Sequence, residues 1–382
     1  MATIKFRRFI QPDILTAIAP ERLISLFTPY SDYLSGRGFI LPKYRQIPIN
    51  YAKLSVILSK PDENLPPQMV DALYFISEMS NTTNVENLMA EFQELHPEMA
   101  FDMDASDADI IVQIWLANPD FVAEKQAFSL ISKPKSFEYY RSCTPHLKSL
   151  ATPEPETIRK MEEWMNDWFD KNRRGRNCRI LVADHGEVVS FLIRHAMPMQ
   201  RERKVSNGKA DSFCYRPEVF DVTFYDRTRD ELGIRATGSK GKKTLYRETI
   251  GQFLFGNANQ FQGRRKFTLA PLEKDGENAL VCSDVDGLEH VTLTAIRNYV
   301  NEGLNGQDLF TADDVFRSLQ TQGRRIPPAS LLNMAGFSMK LAGIKQSRSL
   351  TIRPPNHAMY LRDEDSAVID QWLTKRGFIE VA

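Results

Sequence analysis

Residues 171–266 carry four clusters of basic side chains: Lys171, Arg173, Arg174, Arg176 and Arg179; Arg201, Arg203, Lys204 and Lys209; Lys240, Lys242 and Lys243; and Arg264, Arg265 and Lys266. Three of the four fall where composition reads as turn or loop, so helical i,i+4 pairing cannot neutralise them. Phosphate is the partner such residues suit, because each Lys or Arg contact releases condensed counterions. The expected backbone contacts are Arg173, Arg174, Arg176, Arg201, Arg203, Lys204, Lys240, Lys242, Lys243, Arg264, Arg265 and Lys266. Phe213, Tyr215 and Phe261 between these clusters, and Phe267 just after the last, could stack on bases. A solvated surface or an acidic protein partner are the competing readings.

Other chemistry is weaker. Asp221, Asp226 and Glu231 sit at or near an expected hairpin, with Arg235 and Lys240 close in sequence, which is the raw material of a metal-dependent nuclease. Asp226 to Glu231 reads equally well as turn chemistry. Gly238-Ser-Lys-Gly-Lys-Lys-Thr244 resembles a phosphate loop, but the position five before Gly241 is Ala236 and Lys243 precedes Thr244, so the register fails. Asp184-His-Gly-Glu187 reads as a hairpin tip rather than a site for His185. No Gly-x-Ser-x-Gly or Gly-x-Gly-x-x-Gly occurs, and no cofactor or metal is expected. Cys143, Cys178, Cys214 and Cys282 are too far apart for a zinc ribbon and read as reduced thiols of a cytoplasmic protein.

The formal net charge of the 382 residues is zero, from 49 basic and 49 acidic side chains. That balance is a cancellation. Residues 171–266 hold 21 basic and 10 acidic groups, whereas residues 61–120 hold 13 acidic groups and no Lys or Arg. So one-sided a block is unlike an ordinary salt-bridged helical surface. It suits docking of a protein partner or, less well, a lid over the basic face.

The elements that must carry these charges divide in three. Residues 1–150 read as a helical acidic domain: Pro20 opens a run through Leu23, Leu26 and Phe27 to Gly36, Pro66-Pro67 precede Met69 to Ile76, Asn84 caps Val85 to His96, and Ser106-x-x-Asp109 resembles a capping box. Residues 151–305 read as a basic α+β domain. Its helix Glu156–Lys171 carries Ile158, Met161, Trp164, Met165 and Trp168 on one stripe, with the tryptophans read as core. Hairpins follow around Asp184–Glu187 and Asp226–Glu231, with a long loop at Met199–Arg216 and a helix at Thr244–Phe255. Short strands are expected at Lys266–Leu272, Ala279–Ser283 and His290–Leu293.

Residues 306–382 read as a small helix-plus-hairpin unit compatible with a winged-helix-like module, with helices capped by Thr311 and Asp363 and strands at Phe337–Leu341 and Leu350–Arg353. Arg353 to Asp365 reads as a rigid connector from which Arg353, Asn356, His357, Tyr360 and Arg362 could project. The fold class is α+β on antiparallel hairpins. No segment has the length of a membrane span.

Overall fold

The computed structural model describes residues 9, 11–42, 48–80, 82–102, 104–132, 136–143, 151–206, 208–238, 240–301, 306–362 and 365–380. The chain forms two compact units, Met1–Ser129 with Val205–Asp211, and Leu130–Lys204 with Ser212–Ala382.

The first unit is helical. Among the described residues it contains α1 (Pro12–Thr16), α2 (Pro20–Phe27), α3 (Ser31–Gly36), α4 (Tyr51–Ser59), α5 (Pro67–Met79), α6 (Thr82–Leu95), α7 (Asp107–Ala117) and the start of α8 (Pro119–Ser132). Proline opens α1, α2 and α5, where its missing N–H costs nothing. Leu23 and Phe27 of α2, Met69 and Leu73 of α5, Leu88 and Phe92 of α6, and Ile111 and Ile114 of α7 meet in one core. Ser106 caps α7, accepting from the Asp109 amide at 3.2 Å. The reciprocal half of the box is absent. The Asp109 carboxylate, one methylene shorter than Glu, instead accepts from the Ala19 amide at 3.3 Å and from Arg22.

The second unit is built on one antiparallel sheet. Its elements, with the Val205–Asp211 tip of the β4–β5 hairpin counted in the first unit, are β1 (Ser136–Arg141), α9 (Pro155–Lys171), β2 (Arg179–Asp184), β3 (Val188–Ala196), β4 (Gln200–Ser206), β5 (Lys209–Tyr215), β6 (Glu218–Asp226), β7 (Glu231–Arg235), α10 (Lys240–Phe255), α11 (Ala270–Lys274), β8 (Leu288–Asn301), β9 (Gly306–Thr311), α12 (Val315–Thr321), β10 (Leu332–Leu341), β11 (Arg348–Arg353), β12 (His357–Met359) and α13 (Ser366–Lys375). Ten strands pair in the order β2-β3-β6-β7-β1-β12-β11-β10-β8-β9, and β4 pairs with β5 as a separate ribbon. The α+β class expected from the sequence is therefore present.

Several boundaries differ from those expected. The proposed division at 305/306 falls between β8 and β9, which pair from Ala295↔Thr311 to Asn301↔Gly306, so the last residues extend the same sheet rather than forming a separate winged unit. β1 lies inside the stretch read as helical, yet it is a central strand, joining β7 on one side to β12 on the other. Lys266–Leu272 and Ala279–Ser283 are not strands: the first holds an isolated bridge, Phe267↔Ile379, before α11, and the second begins in a 3₁₀ turn, Gly276–Leu280. Asp314, not Thr311, caps α12, its carboxylate accepting from Arg317 at 3.0 Å. The cap expected at Asp363 lies outside the described residues. The Arg353–Asp365 connector contains β12 and turns several side chains inward, whereas Arg353 and Met359 are exposed: Asn356 donates to the Tyr139 carbonyl at 3.0 Å, His357 meets Ser136 at 2.7 Å, and Tyr360 is buried.

α9 and α10 cover one face of β2, β3, β6 and β7. Met161, Met165 and Phe169 from α9 and Leu245 and Ile250 from α10 pack on Ile180, Val189, Phe191, Ile193 and Leu232. The stripe on α9 is rotated from the expected one. Trp164 is 50% exposed, its ring edge-on to Phe253, while Phe169 takes the buried place. No helix among the described residues is long and apolar enough to cross a membrane.

Candidate nucleic-acid interface

Met199–Arg216, expected as a loop, is largely the β4–β5 hairpin. Both strands carry charged or polar residues on both faces, so no apolar alternation betrays them. In a strand successive side chains point to opposite faces. Arg201 and Arg203 therefore share one face of β4, and Glu202 and Lys204 share the other; Arg201, Arg203 and Lys204 are all exposed. On β5, Phe213 and Tyr215 stack with ring centres 5.2 Å apart and planes at 26°. The Tyr215 hydroxyl donates to Glu202 at 2.7 Å, which places the aromatic pair on the Glu202–Lys204 face. Phe213 is 43% exposed.

The turn after α9 stands beside this ribbon. Arg173 has φ 62° and Gly175 φ 75°, and the Arg174 amide closes the helix onto the Phe169 carbonyl at 2.9 Å. The reversal leaves Arg173 and Arg176 exposed, Arg176 paired with Asp167. Arg216, at the foot of the ribbon, donates to the Arg173 carbonyl, and the half-buried Arg174 reaches Met197 Sδ at 3.2 Å. These contacts bring the turn that holds Arg173 and Arg176 next to the foot of the ribbon that carries Arg201 and Arg203, 25 or more residues on in sequence.

The third cluster divides. Lys240 is exposed in the first turn of α10, and Lys243 is half-buried and paired with Glu138. Lys242 is fully buried and is not a phosphate contact. Its Nζ lies 2.6 Å from Asp221 Oδ2, and the same oxygen accepts from His195 Nε2 at 2.9 Å and from the Tyr246 hydroxyl at 2.7 Å. The Thr237 amide donates to Asp221 Oδ1 at 2.8 Å. Burial opposes the Asp221 charge, but the hydrogen bond from His195 and the Lys242 ammonium overcome it and hold the carboxyl below its usual range. Burial lowers the Lys242 pKa against the pull of Asp221, and Arg174 and Arg235 lower it further. This network ties β3, β6 and the Thr237 turn to the start of α10. It anchors the basic end of the unit.

The fourth cluster also divides. Arg264 and Arg265 are exposed just after the bridge between Arg141 and Gly263, whereas Lys266 is 2% exposed and paired with Glu231. Lys266 Nζ sits 3.7 Å from the Tyr139 ring centre, so its charge is spent inside the protein. Phe261 and Phe267 are likewise buried and unavailable for stacking. The physical reason is common to all four: each lies at a core-facing position, and Lys242 and Lys266 each neutralise a buried carboxylate.

The carboxylates considered for hydrolysis do not converge. Asp221 faces α10 and is saturated with donors, while Asp226 and Glu231 are cross-strand partners on the opposite face. Among the described residues, no group of three or more His, Cys, Asp or Glu is arranged to hold a metal ion. His185 stands exposed in the turn between β2 and β3.

The acidic segment of the first unit exposes Asp71, Glu86 and Glu94, and it takes ion partners from outside itself where Arg22 pairs with Asp109, Arg37 with Asp62 at 2.9 Å and Lys125 with Glu91, while Glu98 meets His96 within it at 3.2 Å. Compared with known proteins, the chain matches no family and no curated sequence at a significant level.

Proposed function

We propose that the second unit binds nucleic-acid backbone through the β4–β5 ribbon and the turn after α9, with little base specificity. One observation carries the reading: an exposed ribbon with Arg201 and Arg203 on one face and a stacked Phe213–Tyr215 pair beside Lys204 on the other. Cations track phosphate, and an exposed aromatic face accepts any base, so the combination suits a single strand better than a duplex. Arg173, Arg176 and Lys240 would extend the track, with Arg264 and Arg265 further along the unit. Lys242 and Lys266 support the fold of this surface rather than touching the ligand.

The first unit fits a protein-docking role, because its exposed carboxylates on α5 and α6 surround an apolar core and draw little balancing charge from their own helices. The chain is then a non-enzymatic accessory subunit. A reducing, cytoplasmic setting suits its four free cysteines, of which Cys143 and Cys214 are exposed. Fluorescence anisotropy with labelled single-stranded and duplex DNA and RNA at low salt tests the proposal. Saturable binding with a single-strand preference is expected. No binding by the full chain at low salt would rule it out.

A further inference from the structure

The face of the sheet turned away from α10 carries a different feature. Phe137 and Tyr139 of β1 and Val222 and Phe224 of β6 floor a cleft of about 430 Å³, walled by Arg362 and the first turn of α13. That volume lies in the range of small-molecule sites.

The cleft holds a guanidinium that is fixed in place but incompletely used. Arg362 lies 3.8 Å over the Tyr360 ring centre and 5.2 Å from that of Tyr139. Its Nη1 faces Asp370 at 3.8 Å, and Asp370 is in turn held by Arg229 at 2.7 Å and by the Tyr360 hydroxyl. Arg362 Nε and Nη2 are buried, and among the described residues neither has a hydrogen-bond partner; the same is true of the Tyr139 hydroxyl. Nε and Nη2 form one edge of the guanidinium, the edge that matches a carboxylate with two parallel hydrogen bonds. A buried polar group left unpaired is rare and calls for an acceptor.

We infer that this cleft binds a small monocarboxylate with an apolar body, the carboxylate on the Nε–Nη2 edge of Arg362, which the partly exposed side chain turns into the cleft to receive it, and the body over Phe137, Val222 and Phe224. The surrounding charges favour one negative charge over two. Arg229, Arg362 and Lys266 are matched by Asp226, Glu231 and Asp370, and Glu187 on the lining adds another carboxylate. A phosphate dianion meets that acidic surplus, while a planar monoanion needs only the one edge.

The test is titration of the full-length protein with benzoate and hexanoate, followed by saturation-transfer NMR and calorimetry. Benzamide serves as a neutral comparator and inorganic phosphate as a dianionic one. Saturable binding of a carboxylate is expected, with benzamide weaker by about tenfold or more, as the loss of one charge-assisted pair requires. Arg362→Lys keeps the charge but loses the planar edge, so it should weaken binding to a similar degree while circular dichroism stays unchanged. If that variant does not fold, Ala367→Phe narrows the cleft from an exposed helical position and should abolish binding on an intact fold. Binding of neither carboxylate, equal binding of benzamide, phosphate binding in their place, or undiminished binding by the folded variants would each overturn the inference. Nucleic-acid binding by the ribbon is read separately and stands or falls by its own result.

Discussion

Replacing Asp221 by Ala should destabilise the second unit more than any change on its surface. The carboxylate receives His195, Lys242 and Tyr246 on one oxygen and Thr237 on the other, all in a site with no exposure for Asp221 or Lys242. Without it, the Lys242 ammonium is left buried and unpaired, and breaking such a pair costs ~3–5 kcal/mol. Lys242→Met should cost less, ~1–3 kcal/mol, because Asp221 keeps His195, Tyr246 and Thr237 as donors. Combining Asp221→Ala with Lys242→Met removes both charges, so the double variant should lose less than Asp221→Ala alone, a coupling of ~2 kcal/mol.

Urea unfolding followed by tryptophan fluorescence and circular dichroism measures all three. The sign of the pH effect follows from the same site. The folded-state pKa of Asp221 is held below its ordinary value, so the stabilisation is complete above about pH 4 and is lost as pH falls through the folded value. The advantage of the native protein over Asp221→Asn should therefore shrink as pH drops from about 5 towards 2. An Asp221→Ala loss under ~1 kcal/mol, or a double variant that loses the full sum, would refute the reasoning.

Other consequences are simpler to state. Phe213→Ala with Tyr215→Ala should weaken single-strand binding by ~1–3 kcal/mol for each base that stacks, read by anisotropy, and leave duplex binding nearly unchanged. Gly251→Ala should destabilise the unit by ~1–3 kcal/mol in urea unfolding, because the added Cβ would stand 2.5 Å from the Asn257 carbonyl oxygen, a backbone atom that cannot swing aside. Gly233→Ala should act the same way against the Phe224 ring, 2.3 Å from the new Cβ, and the two losses should add, since they fall on different elements.

The readings that succeeded were those with a strong local period or a punctuating residue. Prolines placed the starts of α2 and α5, Ser106 placed the start of α7, and the apolar runs Ile180 to Ala183 and Val188 to Ile193 on either side of the Asp184–Glu187 turn gave the β2–β3 hairpin. The β4–β5 ribbon was not legible because its strands are polar on both faces and leave no periodicity to detect. β1 was missed for another reason: six residues whose pairing partners, β7 and β12, lie about a hundred and more than two hundred residues away. A run of charge indicated the basic surface but could not tell an exposed lysine from a buried one.

For Lys242 and Lys266 that distinction depends on Asp221 and Glu231, which the fold alone brings near. A signal for the buried network was present nonetheless. His195 continues the core-facing alternation of Val189, Phe191 and Ile193, and a polar residue at such a position needs a partner.

The most direct test of backbone binding is its salt dependence. With a labelled single-stranded oligonucleotide, log affinity should fall linearly with log salt concentration, each phosphate contact contributing about 0.7 to the slope. Replacing Arg201, Arg203 and Lys204 together by Ala should lower that slope by about 2, three contacts at this value, while circular dichroism stays native. A slope left unchanged in the folded triple variant, or no salt dependence in the native protein, would contradict the assignment of the ribbon as the interface.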